Sequence, residues 1–253
     1  MIPFLIFLLF ILAFLARYNF FRPTKKGILV LLYHRIDDKE THTPLDKFSI
    51  SLTKFEKQIL YLKKKGFESI LPTQIDEIVK NKSYLNKRYV LITFDDGYKD
   101  NLTAAKILKK HGFKAIFFIA AAHIGKTLDG VEMLDEADIK ELVNMGMVIG
   151  SHSYEHKNLL KLSRNEAYNQ IKKSIDILSK FYPVEDIAYP FGGYDCWLDE
   201  IIKGLNFRRG YIIGQRIFQP EVDSEFKIPR AIVRKDTDEI DFYLIITRGR
   251  SKF

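Results

Sequence analysis

The sequence predicts an α/β domain built on a parallel sheet, open or closed into a barrel, with one apolar segment before it. Short apolar runs alternate with amphipathic segments along most of the chain, which is the pattern of strands joined by single helices. The strand-like runs are continuous rather than alternating, as expected for strands buried on both faces. Nearly half of the 253 residues are apolar, so the chain can bury a large core.

The first segment is an unbroken apolar run over residues 2–16. A run of this length can span a membrane. Phe14 and Ala16 do not form the small-x-small pattern of a signal cleavage site. We therefore predict a transmembrane anchor over residues 1–22, a linker over residues 23–27 and one domain over residues 28–253.

The orientation of this anchor is open. The basic residues near it all follow the apolar run, and positive flanks favour the cytoplasm, which would place the domain inside the cell. These residues are Arg17, Arg22, Lys25 and Lys26.

The domain begins with a strand over residues 28–33, where ILVLLY is continuously apolar. Thr53 and Glu56 then predict a capping box for a helix that ends at Gly66. The later elements are predicted as a short helix from Thr73, a strand at 90–92, a helix at 102–110, a strand at 115–120, a helix at 137–145, a strand at 147–149, a helix from the Ser163–Glu166 capping box to about 181, a strand at 187–189, a helix at 198–204, a strand at 211–213 and a helix from Asp238.

Charge and cysteine content exclude some classes of site. The formal charge is +8, but the lysines are interleaved with apolar residues on helix-like segments, so we predict no nucleic-acid site. The chain has one cysteine, Cys196, which excludes an internal disulfide and a cysteine-based zinc cluster.

Two adjacent carboxylates follow the strand at 90–92, in the segment TFDDG at residues 93–97. Holding Asp95 and Asp96 together is costly, because they repel each other and lose hydration unless a cation or hydrogen bonds compensate. A turn at Gly97 would bring both into one pocket. Alone, the pair indicates either a functional site or an ordinary turn between a strand and a helix.

His152 and His156 are separated by three residues. On a helical turn this spacing places both imidazoles on one face, as a divalent metal requires. Two imidazoles and one carboxylate form a common ligand set for a catalytic metal. The alternative is a pair of surface or capping histidines, and the nearby carboxylate pair favours the metal site.

Four apolar runs end in residues that can carry chemistry, and the carboxyl ends of parallel strands form the functional face of such a sheet. These residues are His34, Asp95 with Asp96, His152, and Pro190 with Phe191.

These motifs resemble those of the polysaccharide deacetylases of carbohydrate esterase family 4, which contain a NodB-like homology domain. TFDDG resembles the first family motif, HSYEH at residues 152–156 the second, and AYPFG at residues 188–192 the third. With LYHR at residues 32–35, the third motif is most similar to the branch that deacetylates poly-N-acetylglucosamine. The resemblance runs from about residue 28 to residue 230, and it implies an irregular (β/α) barrel of about seven parallel strands.

The resemblance also implies the roles of several residues. Asp95 would be the general base, while Asp96, His152 and His156 would hold a divalent metal ion, with zinc as the expected one. That ion would polarise the acetamide carbonyl and lower the pKa of a water, whose proton Asp95 accepts. The backbone N–H of Phe191 would help to hold the oxyanion.

The implied substrate is an N-acetylated polysaccharide, which would release acetate and keep a free amine. Aromatic and neighbouring residues at the motifs are candidates for binding the sugar, although aromatic residues are more often part of a core. The candidates are Tyr98, Tyr189, Pro190 and Phe191.

Two parts of the family pattern are missing. Ala188 replaces the arginine that orients the base, and Arg230 is the candidate substitute, with a surface arginine as the alternative. No histidine follows His156, so the family's late histidine, its general acid, is absent. Among the remaining histidines only His34 ends a predicted buried strand, so it is the predicted general acid, with a core histidine bonded to backbone as the alternative.

Three functions stay open. The first is a metal-dependent N-deacetylase of an N-acetylhexosamine polymer such as poly-N-acetylglucosamine or chitin, with its catalytic domain outside the cytoplasm. The second is the same chemistry on a lipid-linked sugar at the cytoplasmic membrane face, which the basic flank suggests. The third is a weakly catalytic carbohydrate-binding protein, which the missing arginine and histidine suggest.

Overall fold

The computed structural model describes residues 2–17, 23–128 and 130–250. In these residues a closed barrel of seven parallel strands is surrounded by helices. The strands of the described chain, including those outside the barrel, are β1 (Ile28–Tyr33), β2 (Phe67–Ser69), β3 (Arg88–Phe94), β4 (Ala115–Ile119), β5 (Thr127–Leu128), β6 (Val131–Glu132), β7 (Val148–Ser151), β8 (Asp186–Ala188), β9 (Arg209–Ile213) and β10 (Ile228–Ile232). The helices are α1 (Ile2–Arg17), α2 (Leu52–Lys64), α3 (Ile75–Lys80), α4 (Asn101–His111), α5 (Glu136–Asn144), α6 (Arg164–Leu178), α7 (Trp197–Gly204) and α8 (Glu239–Arg248).

The barrel closes because β1 pairs with β3 on one edge and with β10 on the other. Its strand order is β1, β3, β4, β7, β8, β9 and β10, with every neighbouring pair parallel. The short strand β2 pairs with the first half of β3 and β4 with its second half, so β2 and β4 share one edge. The predicted parallel α/β fold and the implied seven-stranded barrel are thus confirmed.

The core has two layers, as the alternation of side chains along each barrel strand requires. One buried cluster lies inside the barrel and includes Val30, Leu91 and Phe118. The larger cluster lies between the barrel and the helices, where Phe94 and Phe117 stack with ring centroids 4.7 Å apart.

The first residues of α2 and α6 test the two predicted capping boxes. The Ser163–Glu166 box at α6 is confirmed, with both reciprocal hydrogen bonds present. The Thr53–Glu56 box at α2 was wrong, because the helix begins two residues earlier and Ser51 is its N-cap, accepting from the N–H of Lys54.

Strand β10 is the one barrel strand that was not predicted from the sequence. Its residues pair in parallel with both β1 and β9. Pro229 and Arg230 interrupt the apolar pattern there, and proline also removes a backbone donor that a central strand normally uses.

The predicted membrane anchor receives no support from the structure. Helix α1 spans 16 residues, and in the parts of the chain that are described no helix has both the length and the apolarity to cross a membrane. Residue 1 and residues 18–22 of the predicted anchor lie outside the described residues.

Candidate active site

The candidate site lies at the carboxyl ends of the barrel strands. His34 follows β1, the Asp95–Asp96 pair follows β3, and His152 follows β7. Arg230 joins them from within β10, the neighbour of β1. Parallel closure therefore collects at one mouth the side chains that the sequence separates by almost two hundred residues.

Asp95 is held by a two-pronged contact with Arg230. The Nη1 and Nη2 atoms of the guanidinium donate to the two carboxylate oxygens at 2.6 and 2.8 Å. Both side chains are buried, with Arg230 0% and Asp95 3% exposed. Burial would raise the pKa of Asp95, but the charges of Arg230 and His152 outweigh it and hold that pKa below its usual value. Asp95 is therefore a carboxylate in a fixed orientation.

The guanidinium is itself fixed from three further sides. Arg230 Nη1 also donates to Thr93 Oγ1 at 3.2 Å, and that hydroxyl donates to the carbonyl of Leu31 at 2.9 Å. Arg230 Nε donates to the carbonyl of Ile212 at 3.4 Å, and the guanidinium lies 5.5 Å from the ring centre of Phe118. The predicted substitute for the missing arginine is thus an interior residue in contact with Asp95.

Asp96, His152 and His156 form a cluster of possible metal ligands, with one donor atom from each within 4.8 Å of the others. Asp96 Oδ1 lies 3.4 Å from Nε2 of His152 and 3.3 Å from Nε2 of His156. The Nδ1 atom of His152 donates to the carbonyl of Ala188 at 2.8 Å, which leaves the Nε2 lone pair facing the cluster.

The donor set fits a divalent ion. Asp96 Oδ1 is buried and has no hydrogen-bond partner of normal geometry among the described residues, although such an atom is costly to leave unpaired. Burial, with the neighbouring His152, lowers the pKa of His156 to about 4, so its imidazole is neutral and can donate a lone pair. One carboxylate and two imidazoles match the ligands of catalytic zinc sites.

The ligands are presented by unusual backbone rather than by a helix. Asp96, Ser153 and His156 have left-handed φ angles of 75°, 60° and 55°. Residues 152–156 form a bend rather than a helical turn, and this bend brings the two imidazole rings to 4.8 Å. Such conformations cost roughly 1–3 kcal/mol each and cluster at functional sites.

His34 follows β1, which borders β3 on the side away from β4 and β7. Its ring stacks on Phe48 with centroids 4.8 Å apart, and its Nδ1 is buried without a hydrogen-bond partner among the described residues. Burial lowers the pKa of His34, against the opposing charges of Asp96 and Asp95. Its carbonyl accepts from Asn101 Nδ2 at 2.7 Å, which fixes the backbone at the end of β1.

Arg35 belongs to this region, but no role was predicted for it from the sequence. It is 2% exposed and forms ion pairs with Asp37 at 2.9 Å and Asp100 at 3.2 Å. These contacts join the loop after β1 to the start of α4, beside the acidic pair. The signal in the sequence was an arginine two residues after a buried strand. An arginine that is buried there requires carboxylate partners.

The four candidate sugar-binding residues occupy different environments. Phe191 is 63% exposed and its ring lies 4.7 Å from that of His156. Pro190 is buried, and Tyr98 is 5% exposed against Val131 and Met133, in electrostatic contact with Asp96. Of the four, Phe191 alone presents its side chain to solvent at the mouth.

Tyr189 packs away from the mouth. It is 0% exposed, and its hydroxyl donates to the carbonyl of Phe226 at 3.0 Å. Its position supports a role in packing.

Comparison with known proteins identifies a family. The family model described as polysaccharide deacetylase matches residues 82–210, just over half of the chain. YxkH of Bacillus subtilis, whose name provisionally assigns it to the polysaccharide deacetylases, is 28% identical over 76% of this chain and 64% of its own length. A peptidoglycan-N-acetylglucosamine deacetylase of Bacillus cereus is 36% identical over 42% of this chain and 38% of its own. The chain thus spans less than two thirds of the length of these relatives.

Solved structures show the same fold. IcaB from Ammonifex degensii superposes with a TM-score of 0.77 at 24% identity, covering 89% of this chain and 97% of IcaB. A polysaccharide deacetylase from Bacillus cereus, BC0361, gives a TM-score of 0.71 at 27% identity and covers 87% of this chain and 68% of its own.

Proposed function

Because this chain belongs to the polysaccharide deacetylase family, we propose that it is a metal-dependent hydrolase that removes N-acetyl groups from an N-acetylhexosamine polysaccharide. One observation carries the proposal. The three-ligand cluster of Asp96, His152 and His156 lies directly beside Asp95, a carboxylate that the buried Arg230 orients. Metal-assisted hydrolysis of an amide uses both an ion that activates water and a base that accepts its proton.

Asp96, His152 and His156 would hold the divalent ion, which we propose to be zinc. When bound, such an ion supplies Lewis-acid chemistry, polarising a carbonyl and lowering the pKa of a water. The carbonyl of Ala188 orients His152 for this task through the Nδ1 hydrogen bond.

Asp95 accepts the proton of the attacking water. Its Oδ2 lies 3.7 Å from Nε2 of His152, so this oxygen faces the cluster where water and substrate would meet. The low pKa keeps Asp95 ionised at neutral pH, as a base must be. Arg230 fixes the orientation of the carboxylate plane of Asp95, which limits the direction from which the proton is taken.

His34 delivers a proton to the leaving amine. It follows β1, which borders β3 on the side away from β7 and His152, and both carboxylates interact with it electrostatically. Burial lowers its pKa, which makes the protonated imidazole a stronger acid. The products are acetate and a glucosamine-type amine.

The exposed ring of Phe191 provides the sugar contact. A flat apolar surface at the mouth can stack on the carbon–hydrogen face of a pyranose, and its neighbour His156 places that sugar beside the cluster. Poly-N-acetylglucosamine is the proposed substrate, because the LYHR and AYPFG segments resemble the corresponding branch of the family. Arg230 contacts Asp95 in place of the arginine that the motif lacks. The missing arginine is therefore no longer a reason to prefer a weakly catalytic carbohydrate-binding protein.

Acetate release from N-acetylglucosamine oligomers of varied length, with and without a chelator, tests the function. We expect release that a chelator abolishes and added zinc restores. D95N should remove activity but retain bound metal, whereas H152A should remove both. D176N changes an exposed carboxylate on α6 and serves as the matched control. Acetate release that D95N and H152A leave unchanged would overturn the proposal.

We also propose that the N-terminal segment attaches the protein to a membrane, with the catalytic domain outside the cytoplasm. The support is the exposure of large apolar side chains on α1, where Phe4, Phe7 and Phe10 are 72%, 63% and 71% exposed. Detergent but not high salt should release the full chain from cell membranes, and external protease should cleave a C-terminal tag in intact cells. A protected tag would favour the lipid-linked sugar at the cytoplasmic face instead.

A further inference from the structure

A second concentration of charge lies at the end of the barrel opposite the candidate active site. A cavity of about 450 Å³ opens there, and its described lining contains five cations and no carboxylate. Its floor is apolar and aromatic, with Phe67, Tyr84 and Ile246. The cationic residues are Lys25, Lys26, Lys65, Lys87 and Arg88.

Most of this charge is not neutralised within the protein. Lys87 pairs with Glu68 at 3.3 Å. Lys25 contacts the neutral side chain of Gln219, and Lys65 lies 5.3 Å from the ring centre of Tyr61. The four cations other than Lys87 form no ion pair with a carboxylate of the described chain, so an external anion can interact with them.

The topology adds further cations to this end of the barrel. Barrel helices run opposite to the strands, so their last turns lie at the amino ends of the strands, where the helix dipole favours positive side chains. Helices α2, α4 and α7 all carry lysines in their last turns, and these extend the basic surface beyond the cavity. The residues are Lys63, Lys64, Lys109, Lys110 and Lys203.

The cavity and the candidate active site are on opposite faces of the molecule. Leu29 and Arg88 line the cavity at the beginnings of β1 and β3, while His34 and Asp95 follow the ends of the same two strands. Six strand residues separate the two levels by about 20 Å. A partner bound at the cavity would therefore leave the mouth open.

We infer that this basic end of the barrel docks on the anionic surface of a lipid bilayer, with the mouth turned away from it. Glu68 contacts Lys87 and Glu221 contacts Tyr84, but the lining itself has five cations and no carboxylate. Such a lining with an apolar floor matches the phosphate and glycerol region of anionic phospholipids. The chain enters this end at Thr24, and the apolar helix α1 ends at Arg17 in the sequence before it. This docking would hold the mouth toward a polymer on the far side.

Vesicle sedimentation of the full chain tests the inference, with phosphatidylcholine alone or mixed with phosphatidylglycerol. We expect the triple variant K25Q/K26Q/K65Q to partition into the anionic vesicles roughly a hundredfold more weakly, at about fivefold per cation. K106Q/K140Q/K172Q removes the same charge from α4, α5 and α6 and should bind like the unmodified chain. Circular dichroism and acetate release, unchanged in both variants, exclude misfolding and separate this test from that of the proposed activity.

Orientation is tested through Cys196, the one cysteine of the chain, which is exposed at the start of α7 on the side of the mouth. A fluorophore at Cys196 should not be quenched by lipids that carry a nitroxide on the headgroup, because such quenching acts near contact and the mouth lies about 20 Å from the docked end. Strong quenching, or equal losses of binding in the two triple variants, would overturn the inference. Substitutions that weaken binding to soluble polyphosphate but not to vesicles would also overturn the inference, because they would assign the cavity to a soluble polyanion.

Discussion

At the scale of single residues, Arg230 shows how a buried charge is used to orient another. A guanidinium has two parallel donors that match the two oxygens of a carboxylate, whereas an ammonium is a point charge. In this barrel both donors are engaged by Asp95, and Thr93 holds the guanidinium from the side. The pair therefore fixes the plane of the carboxylate as well as its ionisation.

R230K should separate these two effects. Lysine keeps the positive charge, so Asp95 should stay ionised, but it cannot hold both oxygens, and the base should lose its orientation. We expect kcat to fall about a hundredfold, the scale associated with misplacement of a reacting group by about 1 Å. KM and bound metal should stay the same. R164K, at an exposed position on α6, is the control. Unchanged kcat in R230K would limit Arg230 to a structural role.

Asp186 is a buried carboxylate remote from the proposed chemistry. Burial raises its pKa to about 6, against the opposing charge of Arg209 and a hydrogen bond from Tyr211. An aspartate with a raised folded-state pKa takes up a proton on folding between its unfolded and folded pKa values. Its contribution to stability is therefore greatest at low pH and declines between about pH 4 and pH 6.

D186N should remove this dependence. The difference in the free energy of unfolding, D186N minus the unmodified protein, should rise by roughly 2–3 kcal/mol between pH 4 and pH 7 and stay flat above. Any constant loss from the changed hydrogen bond to Tyr211 cancels in this slope. Urea unfolding at several pH values measures it, with D176N as the exposed control. A flat difference across that range would contradict the raised pKa.

At the scale of secondary-structure elements, a helix start allows a direct comparison of two sites. Ser51 Oγ accepts from the N–H of Lys54 at 3.2 Å and caps α2, whereas Thr53 already lies inside the helix. S51A should therefore lower the free energy of unfolding by about 1 kcal/mol. T53A should change it by a few tenths at most, because alanine is the better helix former. Urea unfolding would show the reverse order if Thr53 were the cap.

The elements also show what sequence can predict about this protein. Strands β1, β3, β4 and β7 are visible because they are continuous apolar runs, and their ends supply His34, Asp95 and His152. Residues in or directly after such a run are thus the easiest to place. The ligand bend at residues 152–156 was not foreseen, because left-handed backbone at Ser153 and His156 has no signature in residue type.

Contacts between distant elements were the hardest to foresee. The pairing of Asp95 with Arg230 depends on closure of the barrel between β1 and β10, and β10 itself was hidden by Pro229. Arg230 was proposed only because the family pattern required an arginine somewhere. Pairing of the neighbouring strands β7 and β8 brings the carbonyl of Ala188 to His152, a contact that no side-chain pattern reveals.

At the scale of the whole molecule, the two ends of the barrel have different chemistry. The carboxyl ends of the strands carry buried carboxylates and imidazoles, while the amino ends carry exposed lysines. This polarity follows from one rule of the fold, that strands and helices run in opposite directions around the barrel. The proposed docking of the amino ends on a membrane, with the mouth turned toward a polymer, rests on this polarity.

The proposed metal site should also stabilise the whole barrel. Its ligands come from the loops after β3 and β7, which are separated in the barrel by β4, so an ion bound there joins parts of the sheet that are not direct neighbours. An ion that binds only the folded state, at a concentration one hundred times its Kd, adds about 2.7 kcal/mol. For a chain of this size we expect zinc to raise Tm by roughly 5–10 °C.

Matched histidine variants identify the source of that shift. H156A removes a ligand and should abolish the zinc-induced rise in Tm, because the remaining pair binds the ion far more weakly. H42A removes an exposed imidazole from the loop after β1 and should keep the full rise. Thermal unfolding with zinc and with chelator measures both, independently of any activity. An equal rise in the two variants would mean that zinc binds elsewhere, and Asp96, His152 and His156 would then lose their proposed role as the metal ligands.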